Sequence, residues 1–172
     1  MTSETLYNLI LTTAQENTAI LMIGSEGSRN DPTVTPDQYQ DFDITYFVSD
    51  DVFPTFDVFD RSRFGDMMIQ QILPEKNRWC WLMQFMDGNR LDLKIQPVSV
   101  VPDYLAEDTR NTILLDKTGH YTNLTATSDR THWVQRTPQS EFDDSITEFF
   151  WVSIYVLKGI LRGELLYANT FF

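Results

Sequence analysis

The sequence predicts an α+β protein, a mixed β-sheet with helices packed on it, followed by one long C-terminal helix. Three observations predict it. Strand-like and helix-like stretches are interspersed without strict alternation, which argues against a doubly wound parallel sheet. Two alternating runs, Trp79 to Phe85 and Arg90 to Gln96, are joined by Met86-Asp87-Gly88-Asn89, whose Asp-Gly pair marks a tight hairpin. From Ser140, with Asp143 three positions on, an apolar-periodic stretch runs to about Tyr167 and reads as one helix.

The remaining elements follow in order. Leu6, Leu9, Ile10 and Ala14 fall at helical spacing behind a cap at Ser3. Ala19 to Ile23 reads as a short buried strand that stops at Gly24. Residues 24 to 40 are rich in glycine, serine and proline and form a long loop, a length more often functional than incidental. In 41–48, Phe42, Ile44, Tyr46 and Val48 alternate on one face of a strand and Asp41, Asp43 and Thr45 on the other. Asp51 to Ile72 reads as helical and irregular. Leu91, Leu93 and Ile95 share one side of the second hairpin strand, and Arg90, Asp92 and Lys94 the other. A short helix is expected over Ser99 to Ala106, with Pro102 in its first turn. Thr112 to Leu115 reads as a strand, and 116–139 is polar and weakly patterned. The division expected is a sheet domain over 1–137 and the long helix over 138–172. Trp79, Trp81 and Phe85 belong to the core.

Composition narrows the function. The chain has 172 residues, 42% of them apolar, enough for one core of ordinary size. Thirteen Lys and Arg against 25 Asp and Glu leave a net charge of −12. That balance opposes a nucleic-acid or anionic-membrane partner and favours cationic partners or metal ions. Cys80 is the single cysteine, so a disulfide within the chain and a thiolate zinc site are excluded. His120 and His132 read as surface histidines. The N-terminus carries Glu4 and no basic residue ahead of its apolar stretch, a poor signal peptide. The longest nearly apolar run, Phe149 to Leu157, is far short of a bilayer span. A soluble, cytoplasmic protein is expected.

Candidate chemistry begins with Asp41 and Asp43, two residues apart on a strand and so on one face, about 7 Å apart at Cα. Carboxylates that close repel, and a hard divalent cation such as magnesium removes the conflict. The plainer alternative is a solvated strand face. Upstream lies Gly24-Ser25-Glu26-Gly27-Ser28-Arg29, where glycine amides, a serine hydroxyl and a guanidinium can hold phosphate oxygens, or which is an ordinary turn. Asp92 lies on the polar side of its strand. If that strand neighbours the Asp41–Asp43 strand, three carboxylates converge and can hold two magnesium ions. The alternative is a salt bridge from Asp92 to Arg90 or Lys94. Along the last helix Glu148, Trp151, Tyr155, Lys158 and Arg162 share a face that either lines a cleft or is partly solvated.

Gly27-Ser28, twelve residues, then Asp41-Phe42-Asp43-Ile44 resembles the signature of the nucleotidyltransferase superfamily that includes DNA polymerase beta. Adding Leu82-Met83-Gln84-Phe85, Asp87 to Leu93, Glu148-Phe149, Lys158-Gly159 and Tyr167-Ala168 makes the chain similar to the aminoglycoside 6-adenylyltransferases over about residues 19–168. The resemblance implies a nucleotidyltransferase domain in which Gly27 and Ser28, with Arg29 and Lys158, bind the phosphates of ATP. Asp41, Asp43 and Asp92 would bind Mg2+, and Asp92 or Glu148 would take the acceptor's proton. AMP would pass from ATP to a hydroxyl of an aminoglycoside such as streptomycin, a polycation that suits an acidic protein. Gly24-Ser25 offers the same pair three residues early. Family members normally continue into a helical domain, so the chain is expected to be a truncated form. Its apolar end (Leu165, Leu166, Tyr167, Phe171, Phe172) would be covered by self-association through the last helix. A catalytically silent nucleotide- and metal-binding fragment is the alternative. Asp92 on the far side of the sheet from Asp41 and Asp43 would abolish the centre.

Overall fold

The computed structural model describes residues 1–56, 60–75 and 78–171, and the chain divides into two compact units, Met1–His132 and Trp133–Phe172. The first unit is an α+β sheet domain. Its elements are α1 (Ser3–Glu16), β1 (Ile20–Glu26), β2 (Phe42–Val48), β3 (Met67–Glu75), β4 (Arg78–Phe85), β5 (Arg90–Pro97), α2 (Val101–Glu107) and β6 (Thr112–Asp116). The six strands form one mixed sheet in the order β3-β4-β5-β2-β1-β6. β2 and β5 run parallel, and the other neighbours are antiparallel.

The alternation of β2 and β5 decides which side of the sheet is oily. Ile44, Tyr46, Leu91, Leu93 and Ile95 are fully buried with Trp81, Met83 and Phe85 of β4 beneath Leu6, Ile10 and Ala14 of α1. Each large apolar side chain buried there stabilises the fold by about 1.5–3 kcal/mol relative to exposure. Two polar contacts set how α1 lies on the sheet. The Tyr46 hydroxyl donates to the Ile10 carbonyl at 2.7 Å, and Lys117 Nζ donates to the Ala14 and Asn17 carbonyls at the helix end. On the opposite face Met22 and Phe47 pack with Val101 and Tyr104 of α2. This second cluster covers only one end of that face and leaves Asp41, Asp43 and Asp92 beyond it.

The structure corrects several expectations. α1 is capped by Thr2, whose side chain accepts from the Thr5 amide, one residue before Ser3. β1 does not stop at Gly24 but runs on to Glu26, and glycine there serves close packing. A Cβ on Gly24 would come within 2.6 Å of the Tyr104 hydroxyl and 2.9 Å of the Phe47 ring. The loop expected from residue 24 therefore begins later, with a 3-10 turn over Gly27–Asn30. Asp51 to Ile72 is not helical in its described part. It holds 3-10 turns at Phe53–Thr55 and Arg61–Phe64 and then enters β3, while 57–59 lie outside the described residues. β3 is an edge strand with exposed Met68, Ile69 and Ile72, so it lacks the alternation that a half-buried strand displays. α2 begins at Val101, after a 3-10 turn that takes up Ser99, and carries Pro102 in its first turn as expected. Trp79 is 38% exposed and stacks on buried Trp81, with ring centroids 6.4 Å apart.

The second unit is α3 (Gln139–Leu161) and α4 (Leu165–Thr170). α3 starts at Gln139 without a side-chain cap, so Ser140 and Asp143 form no capping box; Gln139 Nε2 donates to Asp143 Oδ1 instead. The expected single helix to Tyr167 breaks at Gly163, where φ is +72°. Ala168 of α4 then packs against Gly159, and the Phe171 ring lies 5.1 Å from both Tyr155 and Tyr167. Phe172 lies outside the described residues. Among the described residues no helix is long and apolar enough to cross a membrane.

Gly24→Ala is expected to cost about 1–3 kcal/mol of stability, because Tyr104 and Phe47 must give way to the new methyl group. Urea unfolding midpoints check it; a midpoint equal to the parent's would show that α2 moves off the sheet freely.

Candidate functional site

Two strand ends and one loop place the polar groups. β2 and β5 are parallel with Asp43 opposite Asp92, so the two carboxylates leave the same face of neighbouring strands about 4.8 Å apart at the backbone. β1 adds a third acid in the same row, since Glu26 is the register partner of Asp43. Asp41 precedes β2 on that face and reaches the same arginine as Asp92. The three carboxylates singled out from the sequence are therefore on one side of the sheet.

So many acids together need compensation, and two cations from β5 supply it. Arg90 donates from Nε and Nη2 to the two oxygens of Asp92, each at 3.0 Å, and its Nε lies 3.4 Å from Asp41 Oδ2. Lys94 donates to one oxygen of Glu26 while the Thr45 hydroxyl donates to the other at 2.7 Å. The salt bridge weighed as an alternative for Asp92 is thus present through Arg90, and it coexists with the carboxylate cluster. Among the described residues Asp43 has no such ion-pair partner. Burial first, and then the neighbouring Asp92, push its carboxyl up to about 6. Oxygen donors of this kind suit a hard divalent cation. Among the described residues no three His, Cys, Asp or Glu side chains form a ready cation cage.

The glycine–serine turn closes the site. Gly27 has φ +74°, and a Cβ on it would run into the Asp43 carboxylate. Only glycine lets this turn lie directly against the acid. Gly24 is buried in mid-strand, so Gly27-Ser28 is the pair that meets Asp43. Arg29 braces the turn against β2: it donates to the Asp41 and Gln40 carbonyls at 2.8 and 2.7 Å and lies over the Phe42 ring. Asn30 donates to the Arg110 carbonyl and accepts from the Ser25 hydroxyl, tying the turn to the chain beyond α2.

A cleft of about 350 Å³ opens over this face, lined by Gly27, Asp43, Lys94, Arg110 and His132 among others. Asp108 organises its rim. Burial works against its charge, but hydrogen bonds from Arg110, His132 and Thr131 hold its carboxyl well below the usual range. His132 is therefore surface-exposed, as expected, yet tethered. Reasoning from sequence missed Glu26, Lys94 and this rim. The signal for Glu26 was its place two residues after Gly24, hidden once the strand was taken to stop there. Lys94 was visible as the alternate neighbour of Asp92.

Glu148 and Lys158 lie on α3 in the second unit. Trp151 Nε1 donates to the Tyr155 hydroxyl at 2.9 Å, and Lys158 Nζ stands 5.6 Å from the Tyr155 ring. Arg162 is the C-cap residue of α3, and its amide still donates to the Lys158 carbonyl at 3.1 Å.

The family model for streptomycin adenylyltransferase matches residues 1–172. The chain belongs to that family. It is 35% identical to an aminoglycoside 6-adenylyltransferase of Bacillus subtilis (strain 168) over 95% of its length, and 34% identical to one of Campylobacter jejuni over 94%. A crystal structure of an aminoglycoside 6-adenyltransferase from Bacillus subtilis matches 99% of the chain at a TM-score of 0.56 and 30% identity. The chain spans about three fifths of the curated relatives it matches, 61% and 59% of these two.

Because Asp43 titrates above its ordinary 3.8 in the folded protein, the folded state binds that proton more tightly than the unfolded chain. Stability therefore falls as pH rises from about 4 through 6, and the penalty is complete above that window. Metal-free Asp43→Asn is expected to exceed the parent by on the order of 1 kcal/mol at pH 7.5, after screening of a partly exposed group. The advantage is expected to vanish near pH 3.5. Urea midpoints at the two pH values check it, and an equal midpoint at pH 7.5 would refute it.

Proposed function

We propose that the chain carries the nucleotidyl-transfer centre of an aminoglycoside adenylyltransferase, moving AMP from ATP to a hydroxyl of a cationic aminoglycoside such as streptomycin. The observation that carries this reading is the opposition of Asp43 and Asp92 on parallel strands, with Gly27 seated against Asp43, in a chain of this family. The donor set is chemically suited to magnesium: hard carboxylate oxygens on one face, with the Asp43 carboxyl raised to about 6 by burial and then by Asp92. Magnesium ions held by Asp41, Asp43 and Asp92 would supply neutralisation of the charge that develops on the phosphates during transfer.

The protein's own groups do the rest. Gly27 and Ser28 present backbone amides and a hydroxyl to the polyphosphate, and Arg29 keeps that turn against β2. The acceptor hydroxyl attacks the α-phosphorus, its proton passes to Asp92 or Glu148, and the bond to pyrophosphate breaks. Glu148 as base and Lys158 as phosphate ligand rest on the family pattern alone. A net charge of −12 draws a polycationic acceptor toward the protein. In domain terms, residues 1–137 form the transfer domain and 138–172 the helical portion.

Streptomycin incubated with the protein, ATP and magnesium is expected to gain one AMP by mass spectrometry, and Asp43→Asn or Asp92→Asn to lower the yield by at least a hundredfold while remaining folded. Undiminished transfer by either variant would sink the assignment. A nucleotide-dependent rise in the unfolding midpoint without transfer would mark a binding unit that lacks catalysis.

The exposed apolar side chains of the second unit, Phe149, Leu157, Ile160, Leu161, Leu165 and Leu166, support self-association through α3. Light scattering is expected to give a mass above the monomer's, and a clean monomer at working concentration would exclude this mode.

A further inference from the structure

We propose that Arg90 is the resident counter-cation of the carboxylate centre, occupying the place of a divalent ion and giving it up when the ion binds. The inference rests on the reading that Asp41, Asp43 and Asp92 are the metal-binding groups. It goes beyond that reading by assigning to one arginine the affinity with which they do so.

The geometry is that of a chelate. The guanidinium engages both oxygens of Asp92 at 3.0 Å and lies 3.4 Å from Asp41, so one planar cation spans two of the three acids. A guanidinium cannot be deprotonated in a protein, so this compensation persists at any working pH. Without it, Asp92 would face Asp43 across neighbouring strands, and Lys94, the other base of β5, is already bonded to Glu26. The pair is asymmetric in mobility. The Asp92 side chain is 13% exposed and fixed on the sheet, whereas that of Arg90 is 41% exposed. A cavity of about 460 Å³ lined by Arg29, Asp37, Asp41 and Arg90 adjoins it and gives the released side chain somewhere to go. The hydrogen bonds that Arg90 makes to Asp92 are therefore ones an incoming ion must replace. The affinity measured for the parent protein is the intrinsic affinity reduced by the fraction of time the carboxylates are free.

Calorimetric titration of the full chain with magnesium and with manganese, without nucleotide, tests this. Arg90→Gln is expected to bind either ion at least tenfold more tightly than the parent. Arg90→Lys, which keeps the charge and loses the two-pronged contact, is expected to gain by a smaller factor. Metal-free Arg90→Gln is expected to unfold at lower urea than the parent, and to show the larger rise in midpoint when metal is added. A gain in affinity cannot come from an unfolded chain, and Arg90→Lys carries the test if Arg90→Gln fails to fold. Metal binding by the parent that neither substitution strengthens would overturn the role of Arg90 and leave the metal centre standing. Failure of all three proteins to bind either ion would remove the metal centre, and the role of Arg90 with it.

Discussion

The parallel pairing of β2 with β5 is the constraint on which the rest depends. It sets Asp43 opposite Asp92 in neighbouring strands, a juxtaposition of like charges that no sheet adopts for stability's sake. Burial and, after it, this neighbour drive the Asp43 carboxyl up to about 6, and two basic residues of β5 flank the acids. Slipping the register by one residue would bury the acids among Ile44, Leu91 and Leu93 and expose the core. The same alternation that builds the apolar underside thus holds the carboxylates in place above it.

The packing underneath makes that strain tolerable. α1 covers the central strands with fully buried Leu6 and Ile10, and both Tyr46 and Lys117 hold it through its backbone carbonyls. Two glycines then do complementary work on the upper face. Gly24 lets Tyr104 and Phe47 close one end, while Gly27 lets the turn before Ser28 touch the acid at the other. A polar centre placed between a dry cluster and a braced turn is preorganised, because strands carry Asp43 and Asp92 and Arg29 ties the turn to the chain at Gln40 and Asp41.

The charges in the centre are arranged as alternating layers. Lys94 is paired with Glu26 and Arg90 is shared by Asp92 and Asp41, so four acids face two cations, and among the described residues Asp43 has neither cation as an ion-pair partner. A protein with this surplus of acid is a poor match for nucleic acid and a good one for cations, and the local arrangement repeats at a few ångströms what the composition states for the whole chain.

How much of this the chain discloses before folding differs by element. Period-two alternation in 42–48 and 90–96 determined which side chains face the core. The spacing of Gly27-Ser28 and Asp41-Phe42-Asp43 carried the family resemblance, because both signals are local in sequence. Edge strand β3 and the continuation of β1 past Gly24 were not legible, since each depends on a neighbour far along the chain or on the lack of one, whereas the break at Gly163 was a local glycine signal passed over. Tertiary structure alone decided that Asp92 lies beside Asp43, that Glu26 joins their row and that Arg90 spans Asp92 and Asp41. The physical reason is that strand order and register are settled by burying the whole apolar face at once, a quantity that no single segment carries.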